Sequence, residues 1–165
     1  MEELSLNDFM SGKTDGKKQK LEILGAPSNA PIDLKVCLIT PNVIASKTQI
    51  KRVQPPLGIA CLAAVLEEYN FSNISIIDSS AEGYYEVLDL NDGFVEFGLA
   101  DEKVLEKLGK LDPDVIGLSA LFSSQIGCAF RLAKKIKAQF PKSKIIFGGI
   151  HATKKSSQIL DEEKY

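Results

Sequence analysis

Net charge of either sign is scarce in this sequence: 20 Lys and Arg stand against 22 Asp and Glu, which leaves −2 at pH 7 over 165 residues. Such a balance supplies no bulk field to gather nucleic acid or an anionic membrane surface. Long apolar runs are also lacking, and none approaches the roughly 18 residues of a membrane helix. Met1 to Lys20 has no apolar core of the signal-peptide kind, so the chain reads as cytoplasmic. The three cysteines, Cys37, Cys61 and Cys128, are far apart and form no CxxC pair. A zinc site, a redox dithiol or an iron–sulfur cluster therefore finds no clustered thiolates. Each cysteine lies in an apolar context and is expected as a buried core thiol. His151 is the single histidine, so no Ser/His/Asp set can be assembled with assurance. No GxGxxG follows the first apolar run and no GxxxxGK[ST] occurs anywhere, so the dinucleotide fingerprint and the phosphate loop are both missing. A receiver-type acidic pair is missing too, because the first run ends in Thr40-Pro41-Asn42.

What remains is the balance of an ordinary folded domain, 44% hydrophobic and 25% charged. Residues 1–33 read as a flexible leader, since Ser11 to Lys20 is polar, Gly- and Lys-rich and without period. Residues 34–165 read as the domain, its first strand starting at Lys35. Four short apolar runs, Val36–Ile39, Ile74–Ile77, Val115–Leu118 and Ile145–Phe147, each close on a turn or polar residue. They predict strands buried on both faces. Helical patterns separate them. Pro55-Pro56 precedes a stripe at Ile59, Leu62, Ala63 and Leu66. Asp101 is expected to cap a helix carrying Val104, Leu105, Leu108 and Leu111. Ser123 or Ser124 is expected to cap another, with Ala129, Leu132, Ala133, Ile136 and Phe140 inward and Arg131, Lys134, Lys135 and Lys137 as a solvated face.

This alternation predicts a doubly wound α/β fold with a parallel sheet and right-handed crossovers. Residues 79–100 break the rhythm, and Asn91-Asp92-Gly93 between two apolar pairs predicts a small hairpin or ordered insertion. The sequence stops where a fifth strand and a closing helix would follow, so a C-terminally truncated domain is expected.

In open α/β sheets ligands bind beyond the carboxyl ends of the strands. Four segments converge there: Thr40 to Asn42, Asp78 to Ser80, Ser119 to Ser124, and Gly148 to Thr153. Gly148 and Gly149 offer backbone without Cβ. Ser119, Ser123, Ser124 and Thr153 offer hydroxyls, and Leu121, Phe122 and Ile150 apolar contact. The set suits a bulky, partly apolar ligand with a few polar groups; the competing reading is that these residues only end strands and cap helices.

From Lys35 to Ser157 the chain resembles the N-terminal cobalamin-binding domain of cobalamin-dependent radical S-adenosylmethionine enzymes. Gln54-Pro55-Pro56-Leu57-Gly58 through Leu66 looks like the family's opening of the first helix. Asp112 to Ser119 looks like its PDxxGxS third strand, and Gly148-Gly149-Ile150-His151-Ala152-Thr153 like its GGxHAT loop. Of the wider fold's three motifs, Ser119-Ala120-Leu121 matches SxL and Gly148-Gly149 matches GG, while DxHxxG is absent. The resemblance implies a flavodoxin-like α/β fold with its parallel sheet in the order 2-1-3-4, and cobalamin bound with its base and any histidine off the cobalt. Ser119 would then lie near the displaced base, Gly148 and Gly149 along the nucleotide tail, and residues between Pro41 and Gln54, among them Asn42, Val43 and Gln54, at the lower face. It extends the site to Thr40, Pro41, Asn42, Gln54, Leu57, Gly58, Asp78, Ser119, Leu121, Phe122, Ser123, Gly148, Gly149, Ile150, His151 and Thr153. It also implies a catalytic half with a [4Fe–4S] cluster and S-adenosylmethionine, joined in cis or in trans, whose CxxxCxxC loop this sequence lacks. The chain alone is then not expected to catalyse. Two other readings stand beside it: a degenerate module that keeps the fold as an interaction domain, and a nucleotide-sugar-binding half-domain.

Overall fold

A computed structural model describes residues 30–122 and 125–161. The four apolar runs become β1 (Ile32–Thr40), β3 (Phe71–Asp78), β6 (Val115–Ser119) and β7 (Lys144–Gly148). They form one parallel sheet in the order β3-β1-β6-β7, the expected 2-1-3-4. The first strand starts at Ile32, ahead of the expected Lys35, because Ile32 already pairs with Phe71.

Strand alternation assigns the faces. On one side Cys37, Ile39, Ile77, Ile116 and Leu118 pack against α3 (Asp101–Leu111) and α4 (Ile126–Gln139) through Val104, Leu108, Leu132, Ala133 and Ile136. On the other, Val36 and Leu38 pack against α1 (Leu57–Glu68) through Ile59 and Ala63. Helix α1 packs on β3 and β1. It does not reach β7 or the carboxyl end of β6, and among the described residues Ile146 is left 58% exposed.

The α1 stripe is narrower than its sequence pattern: Leu62 is exposed, and so is Cys61, which corrects the expectation of three buried thiols. Ile59 and Ala63 alone point squarely inward, and the helix presents the flank carrying Cys61 and Leu62 to solvent. Cys37 and Cys128 are buried, and burial first of all pushes their thiols up to about 12 and about 11, so neither is a thiolate at neutral pH.

The irregular stretch 79–100 holds a short helix α2 (Ser79–Glu82) and the predicted hairpin, β4 (Val87–Asp89) with β5 (Phe94–Phe97). Asn91 at φ 63° and Gly93 at φ 86° make its turn. The hairpin is not alone. β2 (Val43–Ser46), from the segment after β1, pairs with β5 to give a second, antiparallel sheet in the order β2-β5-β4. Two short helices, α5 (Ile150–Lys154) and α6 (Ser156–Asp161), follow β7. Two capping expectations change. Ala100 is the N-cap of α3, and Asp101 lies inside its first turn. Gln125 stands at the N-cap of α4, while Ser123 and Ser124 lie outside the described residues.

Candidate functional site

The carboxyl ends of the four parallel strands line up in register. Thr40 pairs with Asp78, and Ser119 with Gly148. Ile39 pairs with Leu118, so extending that register by one residue brings Thr40 beside Ser119. All four have the parity of Val36, Ile74 and Val115, which face α1. The end of the sheet on that side is therefore one row: Asp78, Thr40, Ser119, Gly148. The row beneath it is Ile76, Leu38, Gly117, Ile146. Towards β7 both rows thin out. Among the described residues, a Cβ on Gly148 would meet nothing within 4 Å, and the space over Gly117 is filled by the tip of Leu38. The result is a shallow strip with backbone for a floor, Ser119 at one side and Ile146 at the other.

Individual members divide by what already engages them. The Asp78 carboxylate caps α2, accepting from the Ser80 hydroxyl at 2.9 Å and the Ala81 amide at 3.3 Å. Thr40 Oγ1 is buried without a hydrogen-bond partner, as is Ser79 Oγ. With no partner among the described residues, such a buried hydroxyl is available to a water or a ligand. The Ser119 hydroxyl also makes no hydrogen bond among the described residues. Leu57, Leu121, Phe122 and Ile150 are exposed apolar side chains on segments that open onto this edge, Phe122 at 59% and Ile150 at 62%. Gln54 and Gly58 are exposed and Thr153 bonds back to Gly149 O at 3.1 Å.

Gly149 does a different job from Gly148. Its φ is +97°, and a Cβ there would lie 2.8 Å from Ala120 O and 3.1 Å from Leu121 N. The turn after β7 is stitched to the turn after β6: Ala120 donates to Gly148 O at 2.7 Å, and the His151 backbone N–H donates to Ala120 O at 3.3 Å. Gly149 is thus demanded by the chain itself, and the His151 ring is half-buried within this stitched loop.

Sequence reasoning missed a buried ionic cluster beside the row. Glu96 of β5 and Asp101 of α3 are buried and share Arg131 of α4. Arg131 donates from Nη1 to Glu96 Oε2 at 2.9 Å and from Nε to Asp101 Oδ2 at 2.7 Å. Asn42 Nδ2 donates to Glu96 Oε1 at 2.8 Å, and Lys135 reaches Asp101 at 3.0 Å. Burial by itself would raise both carboxyls, yet the hydrogen bonds outweigh it: those from Arg131 and Asn42 hold Glu96, and those from Arg131 and Lys135 hold Asp101, below the ordinary carboxylate range. Arg131 and Lys135, expected on a solvated face, are therefore ion-pair partners. Pro41 and Asn42 are both buried, and the Asn42 amide nitrogen is already engaged.

An open parallel sheet in the order β3-β1-β6-β7 with helices on both faces defines a flavodoxin-like α/β domain. Residues 45–165 match the family model of the B12 binding domain, and the chain belongs to that family. It is 34% identical over 130 residues to the cytidylyl-2-hydroxyethylphosphonate methyltransferase of Streptomyces wedmorensis, which covers 78% of this chain and 24% of that protein. It is 26% identical over 129 residues to the anaerobic magnesium-protoporphyrin IX monomethyl ester cyclase of Cereibacter sphaeroides, covering 78% and 18%. Over 124 residues it is 29% identical to an uncharacterised methyltransferase of Pyrococcus horikoshii, covering 73% and 22%. The chain thus spans about a quarter or less of the curated relatives it matches. No solved structure matches it. The strip fits the family's ligand: an open glycine, a hydroxyl without a partner and an apolar flank accept a flat, mostly apolar group with few polar atoms.

Proposed function

We propose that this chain is the cobalamin-holding module of a radical S-adenosylmethionine enzyme, of the methyltransferase kind. The observation that carries the reading is the bare strip over β6 and β7, in which Gly148 has open space above it and Ser119 an unengaged hydroxyl. In this reading Gly148 leaves room for the nucleotide tail, Ile146 lies along its apolar side, and Ser119 offers a hydrogen bond to the displaced base. Leu57, Leu121, Phe122 and Ile150 shield the bound group from water at the rim, and Thr40 supplies its buried hydroxyl to a polar atom from outside. Bound there, cobalamin supplies a cobalt centre able to carry a methyl group. The half that would hold a [4Fe–4S] cluster and S-adenosylmethionine, in cis or in trans, is no part of these 165 residues, and among those described no three metal-ligating side chains gather. The relatives' names and their greater length support a larger enzyme around this module.

The same reading keeps histidine off the cobalt. The segment from Thr40 to Gln54 holds none, and the His151 backbone is tied to Ala120 in the stitched loop. Incubation with hydroxocobalamin, desalting and a visible spectrum test the binding: retained colour near one equivalent supports it, and a colourless chain favours the degenerate module. Electron paramagnetic resonance of the cobalt(II) form tests the ligation. A nitrogen superhyperfine triplet that disappears in His151→Ala would contradict the histidine-off mode.

A further inference from the structure

The segment between β1 and α1, residues 41–56, lies against the inserted sheet at three points. At its start Asn42 is buried and donates to buried Glu96. In its middle β2 pairs with β5, and Lys47 adds an ion pair to Asp89 at 2.7 Å. Near its end Lys51 sits 4.7 Å from the centre of the Tyr84 ring and bonds the Tyr84 carbonyl at 3.1 Å. Of these, the Lys47–Asp89 ion pair is exposed and of the modest kind, while the β2–β5 ladder and the Lys51–Tyr84 contact are half-buried. The first point is different. Glu96 is a carboxylate out of water, and it remains charged because the fork of Arg131 holds it. The approach is close on every side, since a Cβ on Gly98 would collide with the Asn42 side chain. Arg131 thus connects helix α4, through Glu96 and Asn42, to the residue two places beyond Thr40 in the site row.

We propose that Arg131, Glu96 and Asn42 are positioning residues which fix segment 41–56 as the wall of the cobalamin site next to Thr40. The proposal rests on the cobalamin reading above. It assigns to a buried ionic cluster and an inserted sheet the task of shaping a wall that carries no histidine. None of the three needs to touch the cofactor. Their effect is to hold the backbone after Thr40 in one conformation, so that the wall is formed before binding and costs no ordering on binding.

The test uses the 165-residue chain with hydroxocobalamin, and two substitutions that act on the cluster differently. Asn42→Ala leaves the Arg131–Glu96–Asp101 ion pairs and the β2–β5 pairing whole and removes only the side-chain hydrogen bond between the cluster and the start of the segment. Arg131→Lys keeps the charge and loses the fork. Thermal unfolding reports stability, equilibrium dialysis the Kd, and the cobalt hyperfine pattern of the bound cobalt(II) form the surroundings of the metal. The expected result is a Kd raised about tenfold in Asn42→Ala, as for one lost hydrogen bond to a charged group, with an altered hyperfine pattern in both variants. Lys110→Ala, on the far end of α3, serves as the control with an unchanged pattern. A wild-type chain that retains no cobalamin overturns both the reading and the positioning role. A wild type that binds, beside variants of lowered melting temperature with unchanged Kd and hyperfine pattern, overturns the positioning role alone.

Discussion

The two faces of the parallel sheet are built from the same four strands yet are finished differently. The face under α3 and α4 is closed: Ile39, Ile116, Leu108 and Ile136 are wholly buried, and Phe147 meets Phe130 with ring centres 5.0 Å apart. The face under α1 is closed around Val36 and Leu38 of β1 and open over β7 and the carboxyl end of β6, where Gly117, Ser119 and Gly148 replace the bulky residues found opposite. Parity within single strands makes the contrast sharp, because Leu118 and Phe147 on one side neighbour Ser119 and Gly148 on the other. One face is filled for stability, and the other keeps a vacancy that apolar packing would have removed.

The largest effect that tests this contrast is core truncation. Ile116→Ala should cost about 2–5 kcal/mol, because it empties a site with no exposure on the closed face. Ile146→Ser, on the open face of the neighbouring strand, should stay within about 0.5 kcal/mol. Urea denaturation of both variants measures the difference. Comparable losses would mean that the open face is a packed surface.

Gly149→Val should come next, at about 1–3 kcal/mol, since it forces a branched side chain to φ +97° and against the Ala120 carbonyl. The motif places both glycines along the ligand, but the structure shows that this one is required by the chain. Loss of cobalamin in the Gly149 variant would therefore report a damaged loop. A melting temperature equal to wild type would contradict the assignment.

Much of this contrast is legible in the sequence, for physical reasons. Strands buried on both faces appear as unbroken apolar runs, and Asn91-Asp92-Gly93 announces its turn because Asn91 and Gly93 adopt positive φ. Ser119 and Gly148 interrupt those runs at the site itself. The ionic cluster was not legible. Glu96 and Arg131 are 35 residues apart, each looks solvated in its own segment, and Asp101 has the pattern of an ordinary cap. Pairing between β2 and β5 brings distant parts of the chain together, and no local period records it. Cys61 misleads for a related reason: apolar neighbours on a helix do not fix which side of it faces inward.

A smaller effect concerns acid. Glu96 and Asp101 have folded pKa values below the ordinary ones, so the stability they contribute is present above the unfolded carboxylate range and is lost as pH falls through the folded values. Stability should decline on acidification below about pH 4. Glu96→Gln should lower stability at neutral pH and flatten that decline. Urea midpoints across a pH series check both, and a decline as steep in Glu96→Gln as in wild type would remove Glu96 as a source of it.

The smallest effect on stability carries the most information about the site. Gly148 closes β7 in extended backbone, and a Cβ there would meet no atom within 4 Å. Valine suits a strand, so Gly148→Val should change stability by no more than about 0.5 kcal/mol, and removing a glycine from the unfolded chain can even favour folding slightly. Nothing among the described residues therefore calls for glycine at this position, in contrast to Gly149 one residue later. If the vacancy above it is where the nucleotide tail passes, the valine methyls stand in the tail's path, and retained cobalamin should fall well below one equivalent while the melting temperature holds. The two adjacent glycines thus separate fold from function: one substitution should damage the loop whatever the ligand, and the other should damage only binding. Full retention in a stable Gly148→Val chain would move the tail off this strip and leave the open face of β6 and β7 without the role proposed for it.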